Sequence, residues 1–237
     1  MLRSVDIRVE CWPLRAPFRI ARGTRTDIAV VVVTIGEGSV AGRGVVGRGE
    51  GTPSARYGET PESVRMQIEA AIPALQAGCD RAALRTLMPP GSARNAVDAA
   101  LWDVEARHAR NIAPVLPPLT SAQTVSIDRP EAMARAAHKL ARARLVKVKV
   151  DAADPETCLR AVRCSLPDTT LIVDANEAWT MPLLVAMQPV LAELGIALLE
   201  QPLPAGQDGA LAGFTAQVPI CADESCHVAA DIPRLRG

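Results

Sequence analysis

The sequence carries no excess of charge of either sign. Its 237 residues include 26 Lys and Arg and 26 Asp and Glu. Without net charge, no overall field attracts nucleic acid or an anionic membrane, so we expect neither as a partner. Any electrostatic function must therefore come from a local cluster of charges.

Paired cysteine motifs are also missing. The six cysteines form no CxxC pair and no closely spaced framework. Cys221, Cys226 and His227 resemble one corner of a zinc site, but no second pair completes four ligands. We therefore interpret the cysteines as small core residues of a reduced protein.

Long apolar runs are absent as well. The run from Ile28 to Ile35 is far shorter than the roughly 20 residues that span a bilayer. The first ten residues alternate like a strand and do not form the apolar stretch of a secretory signal. We therefore expect a cytoplasmic protein with no membrane segment.

The first half of the chain predicts a small α+β domain at residues 1–115. Antiparallel strands are expected at 4–15 and 28–35, with a polar loop at 18–27 and a glycine-rich hairpin at 36–51. Helices are expected at 60–76 and 91–110. Thr60 followed by Pro61 is typical of a helix start. Strands followed by helices in this order favour an α+β fold.

The second half, residues 116–237, alternates between strands and helices. The strand motifs are TVSI, LVKVKV, TLIVDAN, ALLEQ and ICADE, and each except the last is followed by a helical stretch. The spacing is about one strand plus one helix each time. This alternation predicts a parallel β/α barrel of the TIM type, in which chemistry collects at the carboxyl ends of the strands.

Three successive strands end in an acid: Asp174, Glu200 and Asp223. Buried carboxylates are costly unless they are paired or bind a metal. Oxygen ligands without His or Cys suit Mg²⁺, or alternatively Mn²⁺, rather than zinc. The alternative is three unrelated surface acids or ion pairs with arginines.

Lys147 and Lys149 alternate with valines in the strand LVKVKV, so both side chains leave the same face. Two neighbouring ammonium groups beside a divalent cation disfavour each other's charge and predict a lowered lysine pKa. Such a lysine can take a proton from carbon, while the cation stabilises the resulting enediolate. The alternative is an edge strand with solvated lysines.

Several longer motifs resemble the enolase superfamily, in the branch of muconate-lactonizing enzymes and dipeptide epimerases. They are VKVKV, VDANEAW, LLEQPLP and ICADESCH, and RNAVDAALWDVEARHA is similar to the helix that links the two domains of that family. The first domain then corresponds to the capping domain. PFRIARGTRT, RYGE and CADESCH are most similar to dipeptide epimerases of the L-Ala-D/L-Glu type, which act on peptides derived from murein.

The resemblance implies a role for each candidate residue. Asp174, Glu200 and Asp223 would be the Mg²⁺ ligands, and Lys149 the acid–base catalyst tuned by Lys147. The substrate would be a small dipeptide, and the oligomeric state stays open, a homo-oligomer included.

Four further residues are assigned by the same resemblance. Asn176 and Glu224 would support the metal ligands. Arg22 or Arg25 would bind the side-chain carboxylate of the substrate, with an ordinary solvated arginine as the alternative for either.

The family's barrel has eight strands, with a second catalytic lysine at the end of the sixth. One further β/α unit of about 25 residues would put that lysine roughly at position 248, beyond Gly237. We therefore expect a truncated barrel of five strands, in which Lys149 exchanges a proton on one face without epimerisation. The alternatives are another reaction of the superfamily, a cycloisomerase or lyase, and an inactive Mg²⁺-binding remnant.

Overall fold

The computed structural model describes residues 3–38, 44–109 and 117–235. The chain divides into two compact units, one of Met1–Ala16 with Thr26–Leu116 and one of Pro17–Arg25 with Pro117–Gly237. The predicted boundary between residues 115 and 116 lies outside the described residues. The division into domains at 1–115 and 116–237 therefore stays a prediction.

Within the described residues, the first unit combines a three-stranded sheet with three α-helices, which confirms the predicted α+β fold. The strands are β1 (Arg3–Ile20), β2 (Gly23–Glu37) and β3 (Val45–Gly51), in that order, with β2 and β3 antiparallel. The helices are α1 (Pro61–Gln76), α2 (Arg81–Leu87) and α3 (Ser92–His108). The predicted helix end at Arg110 lies outside the described residues.

The start of α1 follows from its sequence. The Ser63 amide donates to Thr60 Oγ1 at 3.0 Å, and the Thr60 amide donates to Ser63 Oγ at 2.9 Å. These reciprocal bonds form a capping box that satisfies donors left free at the helix end. Pro61 is the first helical residue, where the absent N–H costs nothing. The predicted N-cap is confirmed.

The predicted polar loop at 18–27 is wrong. Strands β1 and β2 extend through it and are joined at Ala21 and Arg22. Gly23 has a φ of +151°, a conformation that glycine adopts without steric cost. Phe18 and Ile20 are half-buried, so the segment keeps the alternation of a strand despite its arginines.

The second unit contains five parallel strands in the order β4-β5-β6-β7-β8. They are β4 (Gln123–Val125), β5 (Leu145–Lys149), β6 (Thr170–Asp174), β7 (Ile196–Glu200) and β8 (Ile220–Cys221). The α-helices between them are α4 (Pro130–His138), α5 (Pro155–Ser165) and α6 (Met181–Glu193). Short 3₁₀ helices lie at Asp208–Leu211, after β7, and at Ala229–Leu235, after β8. The five-stranded partial β/α barrel is confirmed.

Most of the cysteines lie outside the hydrophobic cores. Cys11, Cys164, Cys221 and Cys226 are exposed, whereas Cys79 and Cys158 are half-buried and pack against the cores of the first and second unit. The interpretation of the cysteines as core residues is therefore wrong for the four exposed ones. None of the helices in the described ranges has both the length and the apolar surface needed to cross a bilayer.

Candidate functional site

Strand register brings Lys149, Asp174 and Glu200 together. Lys149 lies opposite Asp174 across the β5–β6 pair, and Asp174 lies opposite Glu200 across β6–β7. Glu200 lies opposite Cys221 on β8, two residues before Asp223. Because the strands are parallel, these carboxyl ends form one continuous edge.

The three acids form a compact cluster at this edge. One carboxylate oxygen from each of Asp174, Glu200 and Asp223 lies within 4.8 Å of the other two. Asp174 is fully buried, Glu200 is half-buried and Asp223 is exposed. The cluster therefore has a closed inner side and an outer side open to solvent.

Both lysines of β5 reach this cluster. The Lys147 ammonium donates to Asp174 Oδ2 at 2.8 Å and to Glu200 Oε1 at 2.7 Å. The buried Lys149 ammonium donates to Asp174 Oδ2 and to Asn176 Oδ1, the latter at 2.8 Å. Strand β5 lies between β4 and β6, so the alternative of an edge strand with solvated lysines is wrong.

The predicted lowering of a lysine pKa concerns the site with its divalent cation bound, and it stays a prediction. Without the cation, burial lowers the pKa of Lys147, but hydrogen bonds and charge attraction from Asp174 and Glu200 outweigh burial, and the net pKa is raised. The prediction considered repulsion between the lysines and a cation. In this structure the carboxylates pair directly with the ammonium and favour its charged form.

The three acids differ in the net direction of their pKa: it is lowered for Asp174 and raised for Glu200 and Asp223. Burial raises the pKa of Asp174, but hydrogen bonds from Lys147 and Lys149 lower it overall. Burial raises the pKa of Glu200 against the pull of Lys147, and the charges of Asp174 and Asp223 add to the rise. The pKa of Asp223 is raised by partial burial and then by Glu224 and Asp174. The cluster thus holds more negative charge than the two lysines offset.

This donor set fits a hard divalent cation. Three carboxylates at this spacing offer the oxygen ligands that Mg²⁺ takes, and its remaining positions are usually filled by water or substrate. The unfavourable charge at Glu200 and Asp223 would be relieved by a positive ion. The residues present therefore fit the predicted metal.

The two predicted support residues lie directly behind the cluster. The Asn176 amide N–H donates to Asp174 Oδ1 at 2.8 Å, and its side-chain Nδ2 donates to Glu224 Oε1 at 3.3 Å. Glu224 is buried, and its Oε2 has no hydrogen-bond partner within the described ranges. Asn176 therefore connects the loop after β6 with the loop after β8.

The two predicted substrate arginines differ in their surroundings. Arg22 pairs with Glu224 at 2.8 Å and with Glu177 at 3.0 Å, and it donates to the Asn176 carbonyl at 3.1 Å. Its guanidinium is therefore held by the protein's own acids. Arg25 is exposed near the start of β2. The substrate role assigned to either arginine stays a prediction.

Two residues of this edge, Glu177 and Gln201, were not among the residues predicted from the sequence. Glu177 accepts a hydrogen bond from the Ala205 amide at 2.7 Å in addition to pairing with Arg22. Both residues, with Asn176, have positive φ: 45° for Asn176, 68° for Glu177 and 33° for Gln201. Non-glycine residues in this conformation are uncommon and cluster at functional sites. Each of the three follows a candidate ligand by no more than three positions. This proximity is the sequence signal from which Glu177 and Gln201 could have been predicted.

Family comparison identifies both parts of the chain. Residues 2–115 match the mandelate racemase / muconate lactonizing enzyme N-terminal domain, and residues 131–236 match the enolase C-terminal domain-like family. The two matches cover most of the chain and follow the order expected from the sequence motifs.

Individual relatives point to the same family. The L-Ala-D/L-Glu epimerase of Escherichia coli (strain K12) is 46% identical over 244 residues, which cover 100% of this chain and 74% of the relative. An N-acetyl-D-glutamate racemase of Pseudoalteromonas sp is 39% identical over 84% of this chain and 65% of its own length. The chain thus spans about two thirds to three quarters of these relatives.

Solved structures of relatives superpose closely. An enolase family member of Agrobacterium tumefaciens with homology to dipeptide epimerases, bound to sodium and L-Ala-L-Glu, gives a TM-score of 0.93 at 42% identity, over 99% of this chain and 72% of that one. A dipeptide epimerase of Enterococcus faecalis V583, in complex with Mg and L-Leu-L-Tyr, gives a TM-score of 0.88 at 28% identity. The match covers 99% of this chain and 71% of that one. The chain therefore belongs to the enolase superfamily, in its mandelate racemase / muconate lactonizing enzyme group.

Proposed function

We propose that this chain carries out the acid–base chemistry of a Mg²⁺-dependent dipeptide epimerase. The observation that carries the proposal is the position of Lys149. Its Nζ is buried at the carboxyl edge of the sheet, against the acid that connects it to the rest of the carboxylate cluster. An amine beside a candidate cation site is the arrangement that proton removal next to a carboxylate requires.

We propose N-acylated glutamates as the substrate class. In L-Ala-D/L-Glu, the substrate named for the Escherichia coli relative, alanine acylates the glutamate nitrogen. In N-acetyl-D-glutamate, named for the Pseudoalteromonas relative, an acetyl group does so. The two names share a glutamate with a blocked amino group and two carboxylates. One carboxylate would face the acidic cluster, and the other would be free to meet an arginine.

The proposed step at Lys149 is a proton transfer. The neutral amine takes the α-proton, and the electron pair of the broken C–H bond moves into the adjacent carboxylate, giving an enediolate. Return of a proton from the Lys149 ammonium restores the C–H bond. Mg²⁺ bound by Asp174, Glu200 and Asp223 would supply the positive charge that stabilises the added negative charge on the substrate.

Lys147 and Asn176 would prepare Lys149 for this step. Lys147 and Lys149 both donate to Asp174 Oδ2. Lys147 would therefore weaken the hydrogen bond by which Asp174 favours the charged form of Lys149. Asn176 Oδ1 accepts from Lys149 at 2.8 Å and orients its amine. Both lysines extend from β5, so we propose that they serve the same face of the substrate.

The test is exchange of the substrate α-proton with solvent. In D₂O with Mg²⁺, incorporation of deuterium into L-Ala-L-Glu would be followed by NMR, with N-acetylglutamate as second substrate. Exchange is expected with the parent chain and with Lys139→Ala, because Lys139 is exposed at the end of α4. Lys149→Ala should abolish it. Exchange that persists at the parent rate in Lys149→Ala would refute the assigned role.

A further inference from the structure

Gln201 is a buried polar residue that the proposed chemistry does not use. It follows Glu200 directly at the end of β7, is only 2% exposed and has a φ of +33°. Burying a primary amide is unfavourable unless its hydrogen bonds are satisfied. A residue kept in this position and conformation therefore needs a compensating set of contacts.

The contacts of Gln201 use the whole capacity of its amide. Its Oε1 accepts from the backbone N–H groups of Asp223 at 2.9 Å and Ser225 at 3.0 Å. Its Nε2 donates to the Leu203 carbonyl and to Ser225 Oγ, both at 2.8 Å. A primary amide offers two donors and two acceptor sites. Two N–H groups on one side and a carbonyl on the other fix which end is the oxygen.

The same contacts determine the path of the segment that carries Asp223. Residues 223–225 bend around Gln201 Oε1, because the first and last of them donate to the same oxygen. Ser225 Oγ then donates to Asp208 Oδ1 at 2.6 Å, and Asp208 Oδ2 accepts from Arg234 at 2.9 Å. Arg234 also donates a hydrogen bond to the Ser225 carbonyl. The segment is thus held from both sides.

We propose that Gln201 is a positioning residue for the metal site. It ties the residue next to Glu200 to the backbone of Asp223, and so sets the distance between two of the three candidate ligands. This inference rests on the proposed function, because it takes Asp174, Glu200 and Asp223 as the Mg²⁺ ligands. It predicts that Gln201 controls metal affinity without touching the metal.

The chain offers a matched control in Gln188. Gln188 is 3% exposed, and its Oε1 also accepts two backbone N–H groups, from Gln217 at 2.7 Å and Val218 at 3.0 Å. These residues precede β8 and do not include a candidate ligand. The same substitution at Gln201 and Gln188 therefore removes an acceptor of two backbone N–H groups at either position, but only Gln201 holds a ligand segment. Gln201 loses two further hydrogen bonds from Nε2, whereas Gln188 Nε2 has no partner among the described residues.

The experiment is calorimetric titration of the full chain with MgCl₂, together with the Tm of each variant. Gln201→Met is expected to lower Mg²⁺ affinity by about 10–100-fold, the usual effect of losing a group that orients ligands. Gln188→Met should lower the Tm less than Gln201→Met does, because fewer hydrogen bonds are lost, and should leave the Mg²⁺ affinity within about threefold of the parent. If Gln201 had a purely structural role, Gln201→Met would lower the Tm and leave the Mg²⁺ affinity unchanged.

Gln201→Asn keeps the test valid if Gln201→Met does not fold. Asparagine tolerates positive φ but is one methylene too short to reach both N–H groups, so the Mg²⁺ affinity of Gln201→Asn should fall as well. Gln188→Asn is the control. A loss of less than fivefold relative to the control in the folded Gln201 variant overturns the inference, while the proposed function stands. A parent chain that binds no Mg²⁺ overturns both.

Discussion

At the residue scale, two observations could be made from the sequence and one could not. The alternation of lysines with valines in β5 predicts that Lys147 and Lys149 share a face, and acids at successive strand ends predict the cluster that they reach. The pairing of Arg22 with Glu224 could not be predicted. The two residues are separated by most of the chain, and an arginine in a polar stretch carries no signal of its partner.

Arg22 and Arg25 should differ in what they contribute. Arg22→Met leaves the buried Glu224 carboxylate without its 2.8 Å ion pair, and an unpaired buried group costs about 1–3 kcal/mol. We expect a lower Tm in thermal unfolding for this variant. Arg25 is exposed, so Arg25→Met should change stability by no more than about 0.5 kcal/mol. An equal decrease of the Tm in Arg22→Met and Arg25→Met would mean that the Arg22 ion pairs do not stabilise the fold.

At the element scale, strands and long helices follow from periodicity, and short or turning segments do not. Helix α2, of seven residues, was not predicted because it is too short to show a periodic pattern. The polar loop expected at 18–27 is part of a hairpin, in which Arg19 alternates with the half-buried Phe18 and Ile20. Gln201 was missed for a related reason, since one polar residue after a strand has no pattern.

The packing of α3 on β3 depends on glycines. A Cβ at Gly49 would lie 2.1 Å from the Ala96 carbonyl oxygen and 2.5 Å from the Ala100 amide nitrogen. Backbone atoms cannot move aside as side chains do, so Gly49→Ala should destabilise the first unit by about 1–3 kcal/mol or more. Urea denaturation would measure this. Gly209→Ala, where nothing lies within 4 Å, should be tolerated, and a Gly49→Ala variant as stable as Gly209→Ala would show that α3 can shift.

Glu37 connects β1, β2 and α3 and should make the first unit sensitive to acid. It pairs with Arg3 and, at 2.7 Å, with His108. Burial opposes ionisation, but the hydrogen bonds from Arg3 and His108 dominate and hold the Glu37 pKa below its ordinary value of 4.5. An acid with a lowered pKa stabilises the fold above its unfolded pKa, and this stability is lost as pH falls through the folded value.

The substitution Glu37→Gln tests this directly. The parent should be more stable than the variant at pH 7, and the difference in unfolding free energy should shrink below about pH 4.5. Asp6→Asn, at an exposed pair with Arg8, should show a small difference without this trend. A Glu37→Gln difference that is constant from pH 7 to pH 3 would contradict the assignment.

At the scale of the whole molecule, composition and motif order predicted the architecture, an α+β unit followed by parallel β/α units. Strands followed by helices in the first half, and alternating strands and helices in the second, can be told apart in the sequence because strands and helices differ in their hydrophobic periodicity. The grouping of residues 17–25 with the second unit was not visible. That grouping depends on contacts such as Arg22 with Glu177 and Glu224, which form only in the folded chain.

Mg²⁺ should stabilise the two units unequally. A ligand that binds only the folded state adds about 2.7 kcal/mol of stability at a concentration 100 times its Kd, and the acidic cluster lies within the second unit. In a variant with Trp12→Phe and Trp102→Phe, which removes the two tryptophans of the first unit, the buried Trp179 reports on the second unit by fluorescence. We expect Mg²⁺ to raise the melting temperature seen by Trp179 and leave the unfolding of the first unit unchanged. An equal shift of both transitions would contradict a single site in the second unit.

The central claim is that Asp174, Glu200 and Asp223 hold one divalent cation beside Lys149. Anomalous diffraction at the manganese edge, from crystals of this chain grown with Mn²⁺, tests it most directly because it locates the ion itself. The account predicts a single strong peak about 2.1 Å from an oxygen of each carboxylate, close to the metal–oxygen distance of Mg²⁺ sites, and its loss in Asp223→Asn. A peak elsewhere, or a peak that survives in Asp223→Asn, would contradict it.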